Sequence, residues 1–543
     1  MTVTETKPVE ADEPSSTEVV PAAPLAPPPP PPEGPIGMLG TADHKTIGKL
    51  LGGLGLLFLG GALVLAALVA FEGADASSFQ LLDENTYFQV STLSVLGMVL
   101  LGAMPALLGV AIYVVPLQIG ASSIAFPRLA ASSLWTWLVG SALVIASYII
   151  NGGPGGGKLE GVLLTYVSLG MVVLGLLGGC ICVFTTVATL RTTGLTLLRT
   201  PAFSWSMLVA SSVWLLTLPV LGANLLLMYI DTNYGRLSFG QPLNAWPQLR
   251  WFFDQPAVLG LAIPVLGVAA EVVPVLGRSK IAVRGAVLGT IGAFGVLTFG
   301  PWAQTAFHPR LVDQALYLVF SVAVGLPVLA LLGGLMDTLR RGRPRTAAAL
   351  PLALIGVLGT LAACVCAALR AIQPLDLDGT TWSTGVPKLA IGACVAGLVA
   401  ALHYWGPKLW GSHPSEALGK LNVLVVIGGV TLFGGGDLLA GGLGQLPADA
   451  LGSFAEVVDG AEIGFALSAV GALLLAVAVD LALLGQLGAM ASKSRRAGAD
   501  PWDGHTLEWA VASPPPYGNF LAEVPPVGSA TPLSDLRDGE EKA

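Results

Sequence analysis

Five histidines (His44, His308, His403, His413, His505) and five cysteines (Cys180, Cys182, Cys364, Cys366, Cys394) are the residues of this chain best suited to hold a transition metal. Neither Cys-x-Cys pair can grip one ion from a single helix, because residues two apart point about 200° from each other. All five cysteines sit inside apolar runs, where a free thiol behaves as a small hydrophobe. The stretch WFFDQPAVLGLAIP, residues 251–264, places Asp254 and Gln255 behind an aromatic cluster and ahead of a wholly apolar run. Such rings lie at membrane interfaces, and polar side chains just below that level are uncommon and usually have a reason. Three more ionisable residues interrupt apolar sequence: Glu271 in AAEVVPVLG, Lys388 beside Pro387, and Asp437 in GGGDLLAGG. Glu271 reads as a structural acid paired near the arginine-rich loop that follows it. Lys388 and Asp437 read as groups facing an interfacial water cavity.

The elements that must position these residues are membrane helices. Of 543 residues 54% are hydrophobic and 11% charged, a composition that cannot supply the polar shell of an ordinary soluble protein. A bilayer core of about 30 Å needs about 20 apolar helical residues. Twelve runs qualify, beginning near residues 47, 88, 133, 162, 203, 252, 285, 314, 346, 386, 420 and 460. The 69 glycines then serve close helix packing rather than loops. An even number of spans puts both termini on one side, and Arg278, Lys280, Arg284, Arg340, Arg341, Arg343 and Arg345 fall in loops of that side. By the positive-inside rule it is the cytoplasmic side of a cell inner or plasma membrane. Residues 1–36, with the run Pro27 to Pro32, read as a disordered acidic and Pro-rich cytoplasmic tail, 37–495 as the transmembrane domain, and 496–543 as a cytoplasmic C-terminal tail. No basic stripe with interleaved aromatics points to nucleic acid, and no glycine-rich phosphate loop or internal repeat is present.

Six segments together go further: TADHKTIG (41–48), YVVPLQIGASSIAFPRL (113–129), WFFDQPAV…AAEVVPVLGRSKI (251–281), PWAQTAF (301–307), HYWGPKLWG…LGK (403–420) and DPWDGHTLEWAVASPPPYGNF (500–520). In order and spacing they resemble the signature segments of subunit I of the haem-copper (cytochrome c) oxidases. That resemblance implies an all-α bundle of twelve transmembrane helices, a count reached independently above from hydropathy.

The family carries its chemistry on six histidines, and the resemblance places other residues at all six positions. The second-span motif resembling MHG reads Leu93-Ser94-Val95, which puts Ser94 at a low-spin haem position. On the tenth span, counting back from Gly406-Pro407-Lys408, the HFH motif becomes Gly385-Val386-Pro387. The copper motif HPEVY reads Gln255-Pro256-Ala257-Val258-Leu259, and the His-His pair reads Gln304-Thr305. The proton-carrying glutamate and redox tyrosine of that copper helix are thus replaced by Ala257 and Leu259. Of the two proton routes, one loses its entrance acid at Ser123, with Ala130 at its partner asparagine, and the other loses its lysine near Leu331. Gly, Pro, Ala and Leu side chains cannot coordinate a transition metal, and Ser or Gln are weak ligands beside imidazole. His403 cannot substitute, since it lies about 27 Å along the helix from Gly385. Met98, one turn after Ser94, reads as packing rather than as a thioether haem ligand.

The resemblance therefore implies a degenerate member with no catalytic residue, no haem and no copper. The expected role is a non-catalytic, structural or assembly subunit of a respiratory electron-transport complex, with membrane lipid and other subunits of that complex as partners. Two alternatives stand beside it. One is an active terminal oxidase with ligands supplied by another chain. The other is a binder or transporter of a small molecule, quinone or ion in the vacated haem cavity, lined by Ser94, Gln255, Gln304, Thr305 and Lys388.

Overall fold

A computed structural model describes residues 34, 37, 40–74, 81–235, 242–254, 257–299, 315–447, 457–492, 494–521 and 523–540. Gln255, Gln304, Thr305, His308 and nearly all of residues 1–36 lie outside them. Regular structure among the described residues is helical. The spans are α1 (His44–Ala74), α2 (Glu84–Gln118), α3 (Pro127–Ile149), α4 (Leu159–Thr189), α5 (Ala202–Tyr234), α6 (Ala257–Gly277), α7 (Arg284–Leu297), α8 (Tyr317–Arg341), α9 (Ala349–Arg370), α10 (Trp382–Trp410), α11 (Glu416–Gly442) and α12 (Ala461–Ala491). Every apolar run read from the sequence is a helix. Eleven are long and apolar enough to cross a membrane, and α7, of 14 residues, is the shorter apolar twelfth.

Most consecutive spans pack as neighbours, α2 and α3 being the exception, and α12 packs on α1 as well as on α11, so the first and last spans close the bundle. Three helices, α2, α6 and α10, are buried along nearly their whole length, while the others turn one apolar face outward. Glycine sets the closest approaches. A Cβ on Gly109 of α2 would lie 2.3 Å from the backbone nitrogen of Gly52 on α1, so these two helices touch backbone to backbone. Beyond Leu96, α2 widens into a π-helical turn, Gly97–Ala103. Such a turn breaks the regular hydrogen-bond ladder, and here the Trp137 indole of α3 donates to the Leu100 carbonyl at 3.1 Å.

On the side where α1 begins and α12 ends, called here the terminal side, residues 499–519 fold into the bundle instead of trailing from it. His44 has its ring nitrogens 3.0 Å from the Ile112 carbonyl and from the Asn519 side-chain oxygen. Asn519 in turn donates to the Ala121 carbonyl. The fully buried Lys408 ammonium, at the end of α10, donates to the carbonyls of Ala499 at 2.9 Å and Val511 at 2.7 Å, and lies 5.1 Å over the Trp509 ring. Residues of the segments 41–48, 113–129, 403–420 and 500–520 thus meet in one polar knot.

Lys408→Met keeps the apolar stem and removes the donor, leaving buried carbonyls unpaired at about 1–3 kcal/mol. The expected outcome is a lower unfolding midpoint in detergent and faster proteolysis within residues 499–519, both read against the unaltered protein.

Candidate functional site

The positions that the resemblance assigns to haem ligands lie on α2 and α10, two of the three interior helices, and their surroundings are described. Ser94 is buried, and its hydroxyl donates to the Ser91 carbonyl of its own helix at 2.7 Å. Hydroxyls in helices commonly bond back to the preceding turn in this way. Met98 lies in the π turn and is buried among apolar neighbours. At Gly385 a Cβ would come within 2.9 Å of the Leu438 side chain and 3.0 Å of the Gly434 carbonyl, both on α11. The direction in which a side chain would leave position 385 is therefore filled, partly by backbone. Pro387 sits inside α10 and has no side-chain donor or acceptor. The copper positions Gln255, Gln304 and Thr305 lie outside the described residues. Ala257 opens α6, and Leu259 is buried one residue into its apolar core.

One residue beyond Pro387 the chemistry changes. The Lys388 ammonium of α10 lies 2.8 and 2.7 Å from the two carboxylate oxygens of Asp437 on α11 and donates to the Ser468 hydroxyl of α12 at 3.0 Å. Thr384 donates to the same carboxylate at 2.6 Å, and the Phe433 ring lies 5.1 Å from the ammonium. The Ser468 hydroxyl itself donates to the Phe433 carbonyl. Lys388 and Asp437 therefore do not face a water cavity separately, as read from the sequence. They face each other and join three helices. Lys388 is not brought together with Ser94, whose hydroxyl is turned onto its own helix. A pair with this many donors holds a charge in a membrane span, but it presents no free group to a substrate.

The remaining sequence candidates are dispersed. Leu331 is fully buried on α8, Ala130 is fully buried on α3, and Ser123 lies in the loop before α3. His403 packs against Gly419 of α11, and His413 meets the Trp502 ring edge-on. Among the described residues no group of three or more His, Cys, Asp or Glu side chains could hold a metal ion. Glu271 accepts a hydrogen bond from the Thr506 hydroxyl at 3.1 Å and one from the Phe203 amide at 3.4 Å. Its hydrogen-bond partners are the C-terminal segment and the start of α5, where the sequence pointed to the arginine-rich loop.

Sequence reasoning missed Glu508. This acid of TLEWAV is fully buried and accepts from Gln118 at 3.0 Å and Trp405 at 3.3 Å, while Ser204 donates to the other end of the Gln118 amide at 2.7 Å. Its second carboxyl oxygen is buried without a partner among the described residues. Burial raises the Glu508 carboxyl above the usual glutamate value, against hydrogen bonds from Gln118 and Trp405 that favour its charged form. Burial likewise lowers His505, with Arg537, Lys280 and Arg284 pushing the same way, to about 4. The signal that could have found Glu508 is the resemblance itself, since TLEW is one of the quoted segments.

Comparison with known proteins bears on the whole chain. The family model for cytochrome c and quinol oxidase polypeptide I matches residues 46–474. The chain is 31% identical over 525 residues to cytochrome c oxidase subunit 1 of Bacillus subtilis, covering 91% of this chain and 82% of that one. It is 31% identical to the putative cytochrome c oxidase subunit 1-beta of Streptomyces coelicolor (91% and 89% covered). It is also 28% identical to the heme-copper oxidase subunit I+III of Aeropyrum pernix (88% and 61% covered). These matches correct the expectation of a chain that carries neither haem nor copper. Its relatives over most of its length are oxidases, one of them named for both groups, and a cofactor-free chain is not what they support. The side chains at the described positions are of other chemistry. A serine turned onto its own helix, a glycine backed by Leu438 and Gly434, and a proline do not fit an axial ligand set, so no step is assigned to them.

Two outcomes follow from these geometries. Gly385→His should separate α10 from α11 and lower stability by about 1–3 kcal/mol, the usual cost of overpacking, with Gly385→Ala showing a smaller drop in the same thermal melt. For Glu508 the folded state holds its proton at pH values where the unfolded chain has released it. Stability should therefore be fullest below the usual glutamate value and fall as pH rises through the raised one. Glu508→Gln should flatten that dependence in unfolding midpoints measured from about pH 4 to about pH 8.

Proposed function

We propose, from the premise that the chain belongs to the cytochrome c and quinol oxidase polypeptide I family, that this oxidase subunit I-like, multi-pass membrane protein is a non-catalytic structural or assembly subunit of its respiratory complex. The observation that carries the reading is position 385. There the α10–α11 contact occupies the place a ligand side chain would need, and Leu438 and the Gly434 backbone fill it. Ser94 and Pro387 support it, because neither presents a group that competes with imidazole for a haem iron. The replacements at Gln255, Gln304, Thr305, Ala257, Leu259, Ser123 and Leu331 extend the same pattern to the copper positions and proton routes. A haem or copper held by this chain would need ligands other than these side chains.

The resemblance segments are retained where they build the terminal-side knot, through His44, Gln118, Glu271, Lys408, Glu508 and Asn519. What persists is the part that folds and docks. The binder reading loses support, since Lys388 is already taken up by Asp437 and Ser468. In this proposal residues 37–495 form the membrane domain and 1–36 and 496–543 flank it. The knot faces the cytoplasm across an inner or plasma membrane, in keeping with the arginine-rich loops between α6 and α7 and between α8 and α9.

Oxygen uptake by the complex purified in mild detergent, with reduced cytochrome c or a quinol as donor, tests the reading. Catalysis is expected to be unaffected by Gln255→Ala or Ser94→Ala in this chain. A loss of turnover that tracks these positions in a folded, assembled complex would overturn it. Protease added from the cytoplasmic face, and not from the opposite face, should cut within residues 521–540.

A further inference from the structure

Asp480 is the anomaly that the bundle does not absorb. It lies on α12, roughly 28 Å along the helix from Ala461 and roughly 16 Å from Ala491, well inside the hydrocarbon depth of a span. Its side is exposed, and no hydrogen bond or ion pair reaches it among the described residues. It also lies in a defined setting. Val470, Leu473, Val477, Leu484 and Leu487 are between 45% and 58% exposed and fall with Asp480 at alternating spacings of three and four. That alternation is the seam by which one helix packs along another. Beside it, on α1, Gly60 places a hypothetical Cβ only 3.7 Å from the Asp480 carboxylate, and Gly61 has open space around it. Small residues at that level leave the carboxylate uncovered and let another helix approach closely.

A carboxylate turned toward lipid at this depth is costly, and such groups pair with an opposite charge. Lys388 and Asp437 show how the same chain treats charges in its interior, with every one bonded. A second copy of this chain packed symmetrically on the stripe would bring Asp480 toward Asp480. Among the described residues no exposed lysine or arginine lies at comparable depth of a span to answer it in another arrangement. We propose that the α12 stripe, with the α1 glycines beside it, is the docking surface for a transmembrane helix of a different subunit. That helix carries a lysine or arginine that pairs with Asp480 inside the membrane. The proposal deepens the assembly reading by naming where a partner docks and what it must carry.

The test is photo-crosslinking in native membranes from p-benzoylphenylalanine at Val477, which leaves Asp480 in place, with Val167 on α4 as an outward-facing control. The expected product joins position 477 to an apolar segment of about 20 residues from another protein with a lysine or arginine within one turn of the crosslink, and the Val167 probe does not give it. Asp480→Ala should then cut the crosslink yield at least tenfold and Asp480→Glu less than twofold. Asp480→Lys should abolish the product, and exchanging the partner's basic residue for glutamate should restore it. Crosslinks only to lipid, to a second copy of this chain, or to a segment without a basic residue would overturn the proposal, as would an Asp480→Ala variant that is folded and fully crosslinked. Co-purification of other subunits alongside such a failure would leave the assembly reading standing. The expected crosslink from a complex whose turnover depends on Ser94 or Gln255 would instead defeat that reading and keep the docking surface.

Discussion

In hydrocarbon a polar group has no water to fall back on, so each one must find its partner inside the protein. That constraint orders the polar interior of this molecule. Several hydroxyls of the spans satisfy it locally, by bonding to the carbonyl three or four residues back, as Ser94, Ser147 and Thr360 do. The charges satisfy it across helices. Lys388 and Asp437 form an ion pair that would be weak evidence of stability in water. Here it is the condition under which either residue can sit in a span, and it fixes α10, α11 and α12 in register.

The terminal-side knot follows from the same rule. Lys408 is buried with its ammonium among backbone carbonyls of residues 499–511, and removing those carbonyls would strand the charge. Glu508 fills the complementary place, taking donors from α2 and α10. Lys408 and Glu508 thus draw their partners from segments distant in sequence, and the C-terminal residues become part of the core. Trp509 and Trp502 reinforce this by donating to the hydroxyl and the carbonyl of Tyr404. These contacts explain why motifs near residues 44, 118, 271, 408, 508 and 519 persist together. None can change alone without leaving another buried group unpaired.

The helices were legible in the sequence because hydropathy is a local property: each of the twelve runs is a helix, and only α7 falls short of a full span. What joins them was not. Lys388 and Asp437 are 49 residues apart, and their pairing depends on how α10 and α11 cross, which no periodicity along one helix reveals. Residues 496–543 read as a tail because they are polar and rich in proline, yet Leu507, Glu508 and Trp509 are buried. A short polar segment can be core when its partners are buried charges rather than apolar side chains. Asp480 escaped notice for the converse reason. A single acid in an apolar run looks the same whether it faces the bundle or the lipid, and only the packing of α12 on α1 and α11 decides which.

Glycine at position 385 sets how closely α10 and α11 pack. Removing a large side chain from a close-packed interior leaves a void whose lining atoms lose contacts at about 24 cal/mol per Å³. Glycine at 385 leaves room for Leu438 and the Gly434 carbonyl against α10, and Gly441 does the same further along, where a Cβ would lie 2.1 Å from the Trp382 nitrogen. Once α10 and α11 touch at this distance, Lys388 and Asp437 fall within ion-pair reach, and Ser468 of α12 completes the set. The glycine, the close approach of the helices and the charge pair therefore depend on one another. Reversing any one of them alone would meet the other two as a steric clash or as an unpaired charge in the membrane.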